Sequence, residues 1–363
     1  MRYAIEPDIR AACTLPGSFY YDAEAYRLTR ERVFARTWQW IGELGDVASP
    51  ATLAPRDLLP GFMDEPLLLA RDAEGALRCL SNVCTHRGNI LVKAPCASRE
   101  IRCGYHSRRF DLAGRMVFMP EFGAAKDFPS PSDNLPRVPL GEWAGHGFAA
   151  LDPLAPFAEF SDEMERDVAA LAVGAMRFDA SRNRDYTVNA HWALYVENYL
   201  EGFHIPFVHA GLNEIVGYPG YRTELHRWSS VQRAQAKDGA PAARYWWIFP
   251  NLMLNFYPWG LSLNLVLPQA IDRTRVLFRS YVADPSKLGD GAGAALDRVE
   301  REDEAIVEAV QRGVLSRLYT RGRYSPTHET GVHHFHRLLC AALARETTTI
   351  PLSPMRDDLQ DLS

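Results

Sequence analysis

Two short motifs carry one cysteine and one histidine each, and together they could supply four metal ligands. The first is Cys84-x-His86 and the second is Cys103-x-x-His106, with sixteen residues between them. Thiolate and neutral imidazole side chains are ligands that zinc and iron share in proteins. The spacing therefore predicts a metal site to which two separate loops contribute.

The order of the four residues distinguishes two kinds of metal site. Zinc accepts two cysteines and two histidines, but its fingers and ribbons usually use Cys-x2-4-Cys pairs. A [2Fe–2S] cluster of the Rieske type has two thiolates on one iron and two imidazoles on the other, so each loop gives one ligand to each iron. The order favours the Rieske cluster, and zinc is the alternative.

A second candidate metal site lies in HWALYVENYLEGFHIPFVH, residues 191–209. On one helix Glu197, Glu201 and His204 share a face, and His209 follows where the helix is expected to end. Non-haem Fe(II) oxygenases bind their metal through two histidines and one carboxylate, which leaves positions for O₂ and substrate. We expect His204 and His209 to bind iron. For either histidine alone, a structural role at a helix end is the alternative.

The third ligand is sought on a long helix expected at about 294–313. Asp303 is the only acid on its apolar stripe, and a core-facing carboxylate must be paired or metal-bound. We expect Asp303 to bind iron and Glu302 and Glu304 to point elsewhere, and a structural salt bridge of Asp303 is the alternative. The stripe consists of Leu296, Val299, Ile306, Val307, Val310 and Val314.

The spacing of apolar residues and turn-forming residues along the chain predicts an α+β protein. Helical apolar spacing near the N-terminus gives way to short apolar runs between Gly, Pro, Asp and Asn, and helical spacing returns near residue 159. We expect a helical segment at 1–40 that packs with the catalytic domain, an all-β Rieske domain at 41–155, and a larger catalytic domain at 156–363. In the last domain we expect helices at about 159–173, 190–203 and 294–313, and the first of them has Ser161 as its expected N-cap. We also expect an antiparallel sheet with strands at 243–267 and 274–283.

Composition limits the classes of partner. The 363 residues are 47% hydrophobic and 23% charged, with a formal net charge of −5. A weakly acidic protein does not attract nucleic acid or an anionic membrane, and no apolar run approaches membrane-spanning length. Six scattered cysteines are too few for a disulfide framework in a chain this long. We therefore expect a cytoplasmic protein without a nucleic-acid or membrane partner.

These motifs together resemble those of the Rieske non-haem iron oxygenases, in the terminal-oxygenase α subunit. The likeness is carried by CTH at 84–86, CGYH at 103–106, ENYLEGFHIPFVH at 197–209 and EDEAIVEAVQRG at 302–313. The chain looks most like the choline-monooxygenase branch, through IFPNLMLNFYPWG at 248–260 and GRYSPTHETGVHHFHRLL at 322–339. One departure is YHSRRF, in which Ser107 and Arg108 replace the Gly and Trp of the common YHGW.

The resemblance implies the mechanism and the partners. A flavin reductase, directly or through a ferredoxin, would pass electrons from NAD(P)H to the [2Fe–2S] cluster, and the cluster would pass them to Fe(II) at His204, His209 and Asp303, where O₂ reacts beside the substrate. In the family an acid three positions before the first iron histidine links it to a Rieske histidine of the next subunit in a head-to-tail homotrimer. Here that acid is Glu201, and Asn198 is the other expected catalytic residue.

The substrate is expected to be a small organic molecule that is hydroxylated or demethylated. Aromatic residues crowd the stretch 244–265 and could cage a quaternary ammonium group by cation–π attraction. Plain core packing is one alternative, and a slot for a flat ring in an aromatic-ring hydroxylating oxygenase is another. An alternative of a different class is a Rieske electron carrier or redox sensor with a non-catalytic ligand-binding domain. The expected pocket residues are Trp246, Trp247, Phe249, Asn251, Tyr257 and Trp259.

Overall fold

The computed structural model describes residues 3–209, 211, 221–235, 241–289, 293 and 296–345. The described chain divides into two units. One is Ala35–Pro156, and the other combines the residues up to Phe34 with those from Phe157 onward. The boundaries between the units therefore lie after residues 34 and 156. The boundaries expected from the sequence lay after residues 40 and 155. Helix α1 (Ala23–Arg32) belongs to the second unit, where Arg32 donates to the carbonyl of Leu343 at 2.7 Å.

The unit Ala35–Pro156 contains three antiparallel sheets. Their strand orders are β5-β2-β3-β4-β9, β6-β7-β8 and β1-β11-β10. Leu53, Leu68, Leu80 and Phe110 form part of its apolar core, and each such buried side chain stabilises the fold by about 1.5–3 kcal/mol. The strands are β1 (Gln39–Glu43), β2 (Thr52–Leu58), β3 (Glu65–Arg71), β4 (Leu77–Ser81), β5 (Cys96–Ala97), β6 (Ile101–Arg102), β7 (Arg109–Phe110), β8 (Met116–Phe118), β9 (Arg137–Val138), β10 (Leu140–Trp143) and β11 (His146–Ala149).

The second unit is built on one antiparallel sheet of eight described strands. Its order is β12-β19-β18-β17-β16-β15-β14, and β13 pairs with β19. The strands are β12 (Arg177–Phe178), β13 (Arg184–Val188), β14 (Arg222–Leu225), β15 (Ser229–Gln235), β16 (Pro241–Ile248), β17 (Leu252–Tyr257), β18 (Gly260–Ala270) and β19 (Arg273–Val282). After α1, the described helices are α2 (Ala158–Val168), α3 (Trp192–Tyr199), α4 (Ile205–Val208), α5 (Leu296–Val314) and α6 (Thr330–Ala344).

The α+β class is confirmed, and several element boundaries differ from those expected. The stretch 243–267, where strands were expected, contains three of them, because Pro250 cannot donate a ladder hydrogen bond and Gly260 follows a second turn at φ 147°. Ser161 is buried inside α2 and does not cap it. Helix α6 was not predicted. In the described part of the chain, no helix has both the length and the apolar character needed to cross a bilayer.

Candidate metal centres

The four residues of the two Cys/His motifs lie on two loops of the Ala35–Pro156 unit. Cys84 and His86 follow β4, and Cys103 and His106 lie between β6 and β7. Both cysteines are 2% exposed and belong to the apolar core, so packing anchors the two loops. The ring centroids of His86 and His106 lie 4.8 Å apart. The structure thus brings together the four residues that the sequence indicated.

The imidazoles of this site have unused bonding capacity. The Nδ1 atoms of His86 and His106 are buried, and neither has a hydrogen-bond partner in the protein. A buried polar nitrogen without a partner costs about 1–3 kcal/mol, which a bond from this atom to a metal would offset. Two free buried thiols and two unpartnered imidazole nitrogens fit the donor set of a Rieske cluster.

A single zinc ion fits these donors less well. Zinc bonds of about 2.0–2.3 Å in a tetrahedral site hold all ligand atoms within about 4 Å of one another. Among the described residues, the one group of three or more His, Cys, Asp or Glu donors that converges to within 4.8 Å is His204, His209 and Asp303. The Cys/His donors are more widely spread, as two irons with bridging sulfides require. This spread favours the cluster over zinc.

The two thiols ionise differently. Burial raises the pKa of Cys84. Burial also opposes ionisation of Cys103, but the backbone N–H of Tyr105 and the contact with Cys84 outweigh it and lower the pKa of Cys103. The Tyr105 nitrogen lies 3.5 Å from Cys103 Sγ, and Asn89 Nδ2 lies 3.6 Å from the same atom. N–H groups aimed at a ligand sulfur stabilise its negative charge.

A buried guanidinium supports the first ligand loop. Arg108 is 2% exposed, forms an ion pair with Asp133 at 2.5 Å and donates through Nη1 to Thr85 Oγ1 at 3.0 Å. Thr85 stands between Cys84 and His86, so the ion pair is bonded to the ligand loop. The departure from the YHGW motif therefore places a buried positive charge near the ligands.

The second candidate centre combines residues from two distant parts of the chain. His204 and His209 flank α4, and Asp303 lies on α5. The Nε2 atom of His209 lies 3.0 Å from Asp303 Oδ1, and that of His204 lies 3.5 Å from the same oxygen. Two imidazole nitrogens and one carboxylate on one side of a common point are the ligand set of non-haem Fe(II) oxygenases. The three residues fit a mononuclear iron.

The other nitrogen of each histidine is held by a carboxylate. Glu201 Oε1 lies 2.6 Å from His204 Nδ1, and Glu302 Oε2 lies 2.8 Å from His209 Nδ1. If each Nδ1–H donates to its carboxylate, the Nε2 lone pair faces Asp303, which is the tautomer that a metal needs. Burial opposes protonation of His209, but hydrogen bonds to Asp303 and Glu302 raise its pKa. The hydrogen bond from His209 lowers the pKa of Glu302.

The expectation that Glu302 and Glu304 point away from the site is therefore wrong for Glu302. Glu304 is buried as well, at 9% exposure, and accepts a hydrogen bond from Arg301 Nη1 at 2.8 Å. Most of the expected apolar stripe does face inward, because Leu296 and Val299 line the cavity with Asp303 and Val307 and Val314 are buried. Ile306 and Val310 depart from it, at 41% and 42% exposure. The inner face of the helix also carries the buried acids Glu300 and Glu304, which hydrophobic spacing does not reveal.

The helix expected at 190–203 is shorter, and Glu197 does not join the metal site. Helix α3 ends before Gly202, a poor helix former. Glu201 therefore reaches His204 across a turn, where its Oε2 also accepts the backbone N–H of His204 at 3.0 Å. Glu197 accepts a hydrogen bond from Tyr20 at 2.7 Å and lies 2.9 Å from His336 Nε2.

A cavity borders this second centre. The expected catalytic residue Asn198 lines it, with the amides of Asn255 and Asn264 and the carboxylates of Glu201 and Glu300. Burial and the nearby Asp303 raise the pKa of Glu300 well above its ordinary value. The aromatic residues of the lining are Tyr195, Tyr199, Tyr221, Tyr245, Tyr257 and Phe278.

Of the six expected pocket residues, only Tyr257 lines this cavity. The other five are at most 1% exposed and pack elsewhere in the second unit. Trp246 lies on the face of β16 opposite to the cavity-lining Tyr245, where its indole N–H donates to Asp167 at 2.8 Å. Trp247 packs against Phe335. Trp259 stacks behind Tyr257 at 5.4 Å. The other two are Phe249, which packs against Trp228 and Trp247, and Asn251, which donates to the carbonyl of Val266.

The sequence interpretation missed most of the cavity wall. Tyr245 pairs with Asn255 across β16 and β17, so the two side chains lie on one face of the sheet. Alternation along β16 separates Tyr245 from Trp246, and this signal was present in the sequence. The tyrosines at 195, 199 and 221 come from outside these strands, and no local pattern assigns them to the same wall.

Two family models match the chain. The model described as the Rieske [2Fe-2S] domain matches residues 37–129. The model described as the ring hydroxylating alpha subunit (catalytic domain) matches residues 175–345. The first range contains the four Cys/His donors, and the second contains His204, His209 and Asp303.

Full-length relatives agree with both matches. The chloroplastic choline monooxygenase of Arabidopsis thaliana is 30% identical over 91% of this chain and 83% of the relative. The carnitine monooxygenase oxygenase subunit of Escherichia coli K12 is 28% identical over 90% of this chain and 93% of the relative. The solved structure of a quaternary ammonium Rieske monooxygenase aligns with a TM-score of 0.75 at 22% identity, covering 94% of this chain and 100% of that one, which shows a common fold.

Proposed function

The chain belongs to the Rieske non-haem iron oxygenases, and from that premise we propose that it oxidises a quaternary ammonium compound with O₂. It is an oxidoreductase whose cofactors are a [2Fe–2S] cluster and a non-haem iron. The observation that carries the substrate proposal is the cavity beside His204, His209 and Asp303, whose walls are tyrosine rings and carboxylates. The choline and carnitine relatives support it, because both compounds carry a trimethylammonium group.

The residue roles in the electron-receiving domain follow from the donor set. Cys84 and Cys103 would hold one iron of the cluster, and the Nδ1 atoms of His86 and His106 would hold the other. Arg108 keeps the first ligand loop in place through Thr85. The alternative of another class is a Rieske electron carrier without catalysis. In such a protein His204, His209, Asp303 and the cavity beside them would have no role.

The residue roles at the second centre follow from its hydrogen bonds. His204, His209 and Asp303 would hold Fe(II), while Glu201 and Glu302 orient the two imidazoles. When bound, the iron supplies O₂ activation beside the substrate. Asn198 lines the cavity and offers its amide to the substrate.

The tyrosine rings supply the recognition chemistry. The ring of Tyr245 lies 6.5 Å from that of Tyr199 and 5.9 Å from that of Tyr257, at interplanar angles of 89° and 79°. The three rings therefore meet in the cavity wall, and a ring face that a cation reaches attracts it by about 0.5–2 kcal/mol. A trimethylammonium group is apolar on its surface and positively charged throughout, so it suits such walls.

The test is substrate-dependent O₂ consumption by the iron-loaded protein with a reductase. We expect uptake and product with choline or carnitine, and little with naphthalene or benzoate. Turnover of the aromatic rings alone would move the assignment to aromatic-ring hydroxylation. The metal centres would stand in either case, because they do not depend on the substrate.

We also propose a head-to-tail homotrimer, a flavin reductase with or without a ferredoxin, and a cytoplasmic location. Phe203 and Phe207 beside His204 are 41% and 80% exposed, and Tyr105 beside His106 is 60% exposed. Exposed aromatic side chains next to redox centres support contact with another protein surface. All six cysteines are free, in accord with a reducing compartment.

Mixed oligomers test the trimer. His106→Ala and His204→Ala proteins should each be inactive, because each lacks one centre. Co-expressed in equal amounts, random trimers join an intact cluster to an intact iron site at about a quarter of their junctions, and activity should recover to that fraction. Absence of recovery in verified mixed trimers would contradict electron transfer between subunits.

A further inference from the structure

The charged side chains of the cavity are acids and histidines. Within its described lining there is no lysine or arginine. Two of the three acids have partners at the metal centre, since Glu201 holds His204 and Asp303 faces both histidines. Glu300, the third, is one helical turn from Asp303 and has no such role.

Glu300 is buried without a cation from the described chain. It is 6% exposed, and its two carboxylate oxygens lie 2.8 Å from the Tyr195 hydroxyl, which donates to them. The neighbouring cation, Arg301, is largely exposed and pairs with Glu304 instead. A buried carboxylate without a positive partner is unfavourable. Burial therefore favours the protonated form of Glu300 in the empty cavity, whereas a cation beside the carboxyl group favours the ionised form, so the cavity is predisposed to bind positive ligands.

We propose that Glu300 determines the specificity of this cavity, by pairing with the substrate ammonium group and by selecting quaternary ammonium alcohols over quaternary ammonium carboxylates. The inference deepens the proposed function and rests on it. A carboxylate on the substrate would meet Glu300 and Asp303 with no base in the described lining to pair with it. Specificity often comes from such unpaired like charges against the competing ligand.

The polar part of the lining suits an alcohol. Tyr199 donates to Asn255 Oδ1 at 2.6 Å, and Ser262 donates to Asn264 Oδ1 at 2.7 Å. Each amide oxygen accepts one of these bonds, and the Nδ2 group of each amide remains a donor that suits a hydroxyl oxygen. A single neutral hydroxyl needs no charged partner, whereas a buried carboxylate does.

A purely structural role for Glu300 is separable by experiment. In that role Glu300 joins α5 to α3 through Tyr195 and carries no charge that the ligand feels. Glu300→Gln keeps an oxygen that accepts a hydrogen bond from the Tyr195 hydroxyl, but it cannot ionise beside a bound cation. Glu304→Gln is the matched control, because Glu304 is a buried acid on the same helix outside the cavity lining.

The experiment is anaerobic titration calorimetry on the full-length iron-loaded protein, which needs no reductase. The ligands are choline, L-carnitine and 3,3-dimethylbutan-1-ol, the neutral carbon isostere of choline. We expect choline to bind at least about tenfold tighter than the other two. In Glu300→Gln the Kd for choline should rise about tenfold, while that of the neutral alcohol stays unchanged and carnitine binds equally or more tightly. Glu304→Gln should behave as the wild type.

The outcomes separate the two proposals. If choline and carnitine bind but Glu300→Gln keeps the wild-type preference of choline over the neutral alcohol, the role of Glu300 is wrong and the proposed function stands. Tighter binding of carnitine than of choline to the wild type would also overturn the selectivity. If neither ammonium compound binds and naphthalene does, the proposed function itself fails. Equal iron content in all three proteins verifies that the variants fold.

Discussion

The two candidate metal centres are assembled in opposite ways. The Cys/His donors of the Ala35–Pro156 unit all lie within residues 84–106, on loops anchored by buried strands. The second centre joins His204 and His209 to Asp303, which is 94 positions after His209. Donors that are close in sequence are recognisable by spacing alone. Donors from distant elements are recognisable only when the position of the helix that carries them is known.

The charges around the two centres also differ. The buried Arg108 lies near the Cys/His loops, whereas the buried Glu300 and Glu304 lie on the helix that carries Asp303. A positive charge stabilises a group that gains an electron, and negative charges attract a cationic substrate. Because Arg108 is paired with Asp133 and Glu304 with Arg301, the comparison depends on Arg108 at the first centre and on Glu300 at the second, and both can be tested by substitution.

The largest effects should come from removing a ligand, and they should separate the centres. Asp303→Ala should abolish product formation and mononuclear iron binding while the visible and electron paramagnetic resonance spectra of the cluster stay unchanged, because the donors belong to different domains. His106→Ala should give the reverse pattern. Iron analysis with both spectra checks this. Loss of both iron types in either variant would show that the centres are not independent.

The next effect concerns Glu302, whose carboxylate holds His209. Glu302→Ala should weaken Fe(II) affinity about 10–100-fold, because the imidazole loses the partner that fixes its tautomer. Glu302→Gln keeps an acceptor oxygen and should lose less. Fe(II) titration of the apoprotein measures both. If Glu302→Ala bound Fe(II) with the affinity of the wild type, Glu302 would not orient His209, and only Glu201 would keep an orienting role.

A smaller effect is expected at Arg108. Arg108→Met should lower the reduction potential of the cluster by roughly 30–60 mV, since a buried positive charge favours the reduced form and about 59 mV corresponds to a tenfold change for one electron. Arg108→Lys keeps the charge and should shift it less, and the half-exposed Arg109 serves as control through Arg109→Met. Protein-film voltammetry gives the potentials. An unchanged reduction potential in Arg108→Met would show that Arg108 does not favour electron uptake by the cluster.

The smallest effect separates two neighbours on β16. Tyr245→Leu should raise the Michaelis constant for choline about threefold, the loss of one cation–π contact. Trp246→Leu should leave that constant unchanged and lower the free energy of unfolding by a few kcal/mol, because a buried ring and its bond to Asp167 are lost. Steady-state kinetics and denaturant unfolding distinguish the two. The opposite pattern would mean that the cavity lies on the other face of the sheet.

Sequence alone determined the family, the α+β class and the residues that meet at both centres. Short-range spacing was sufficient for each Cys/His pair, since the two residues of a pair lie on one loop, and the shared donor chemistry indicated that the two loops meet. Asp303 was found from the apolar stripe, and the structure places it on the inner side of α5 with Leu296 and Val299.

Tertiary structure decided what surrounds the second centre. Whether Glu302 contacts His209 depends on how α5 is rotated about its axis, and the apolar stripe gives that rotation too coarsely to distinguish Glu302 from its neighbours. Whether Tyr245 or Trp246 faces the cavity depends on strand register, since consecutive side chains of a strand point to opposite faces. Helix rotation and strand register are set by packing between elements far apart in sequence. The charge and shape of the substrate cavity therefore had to be read from the structure.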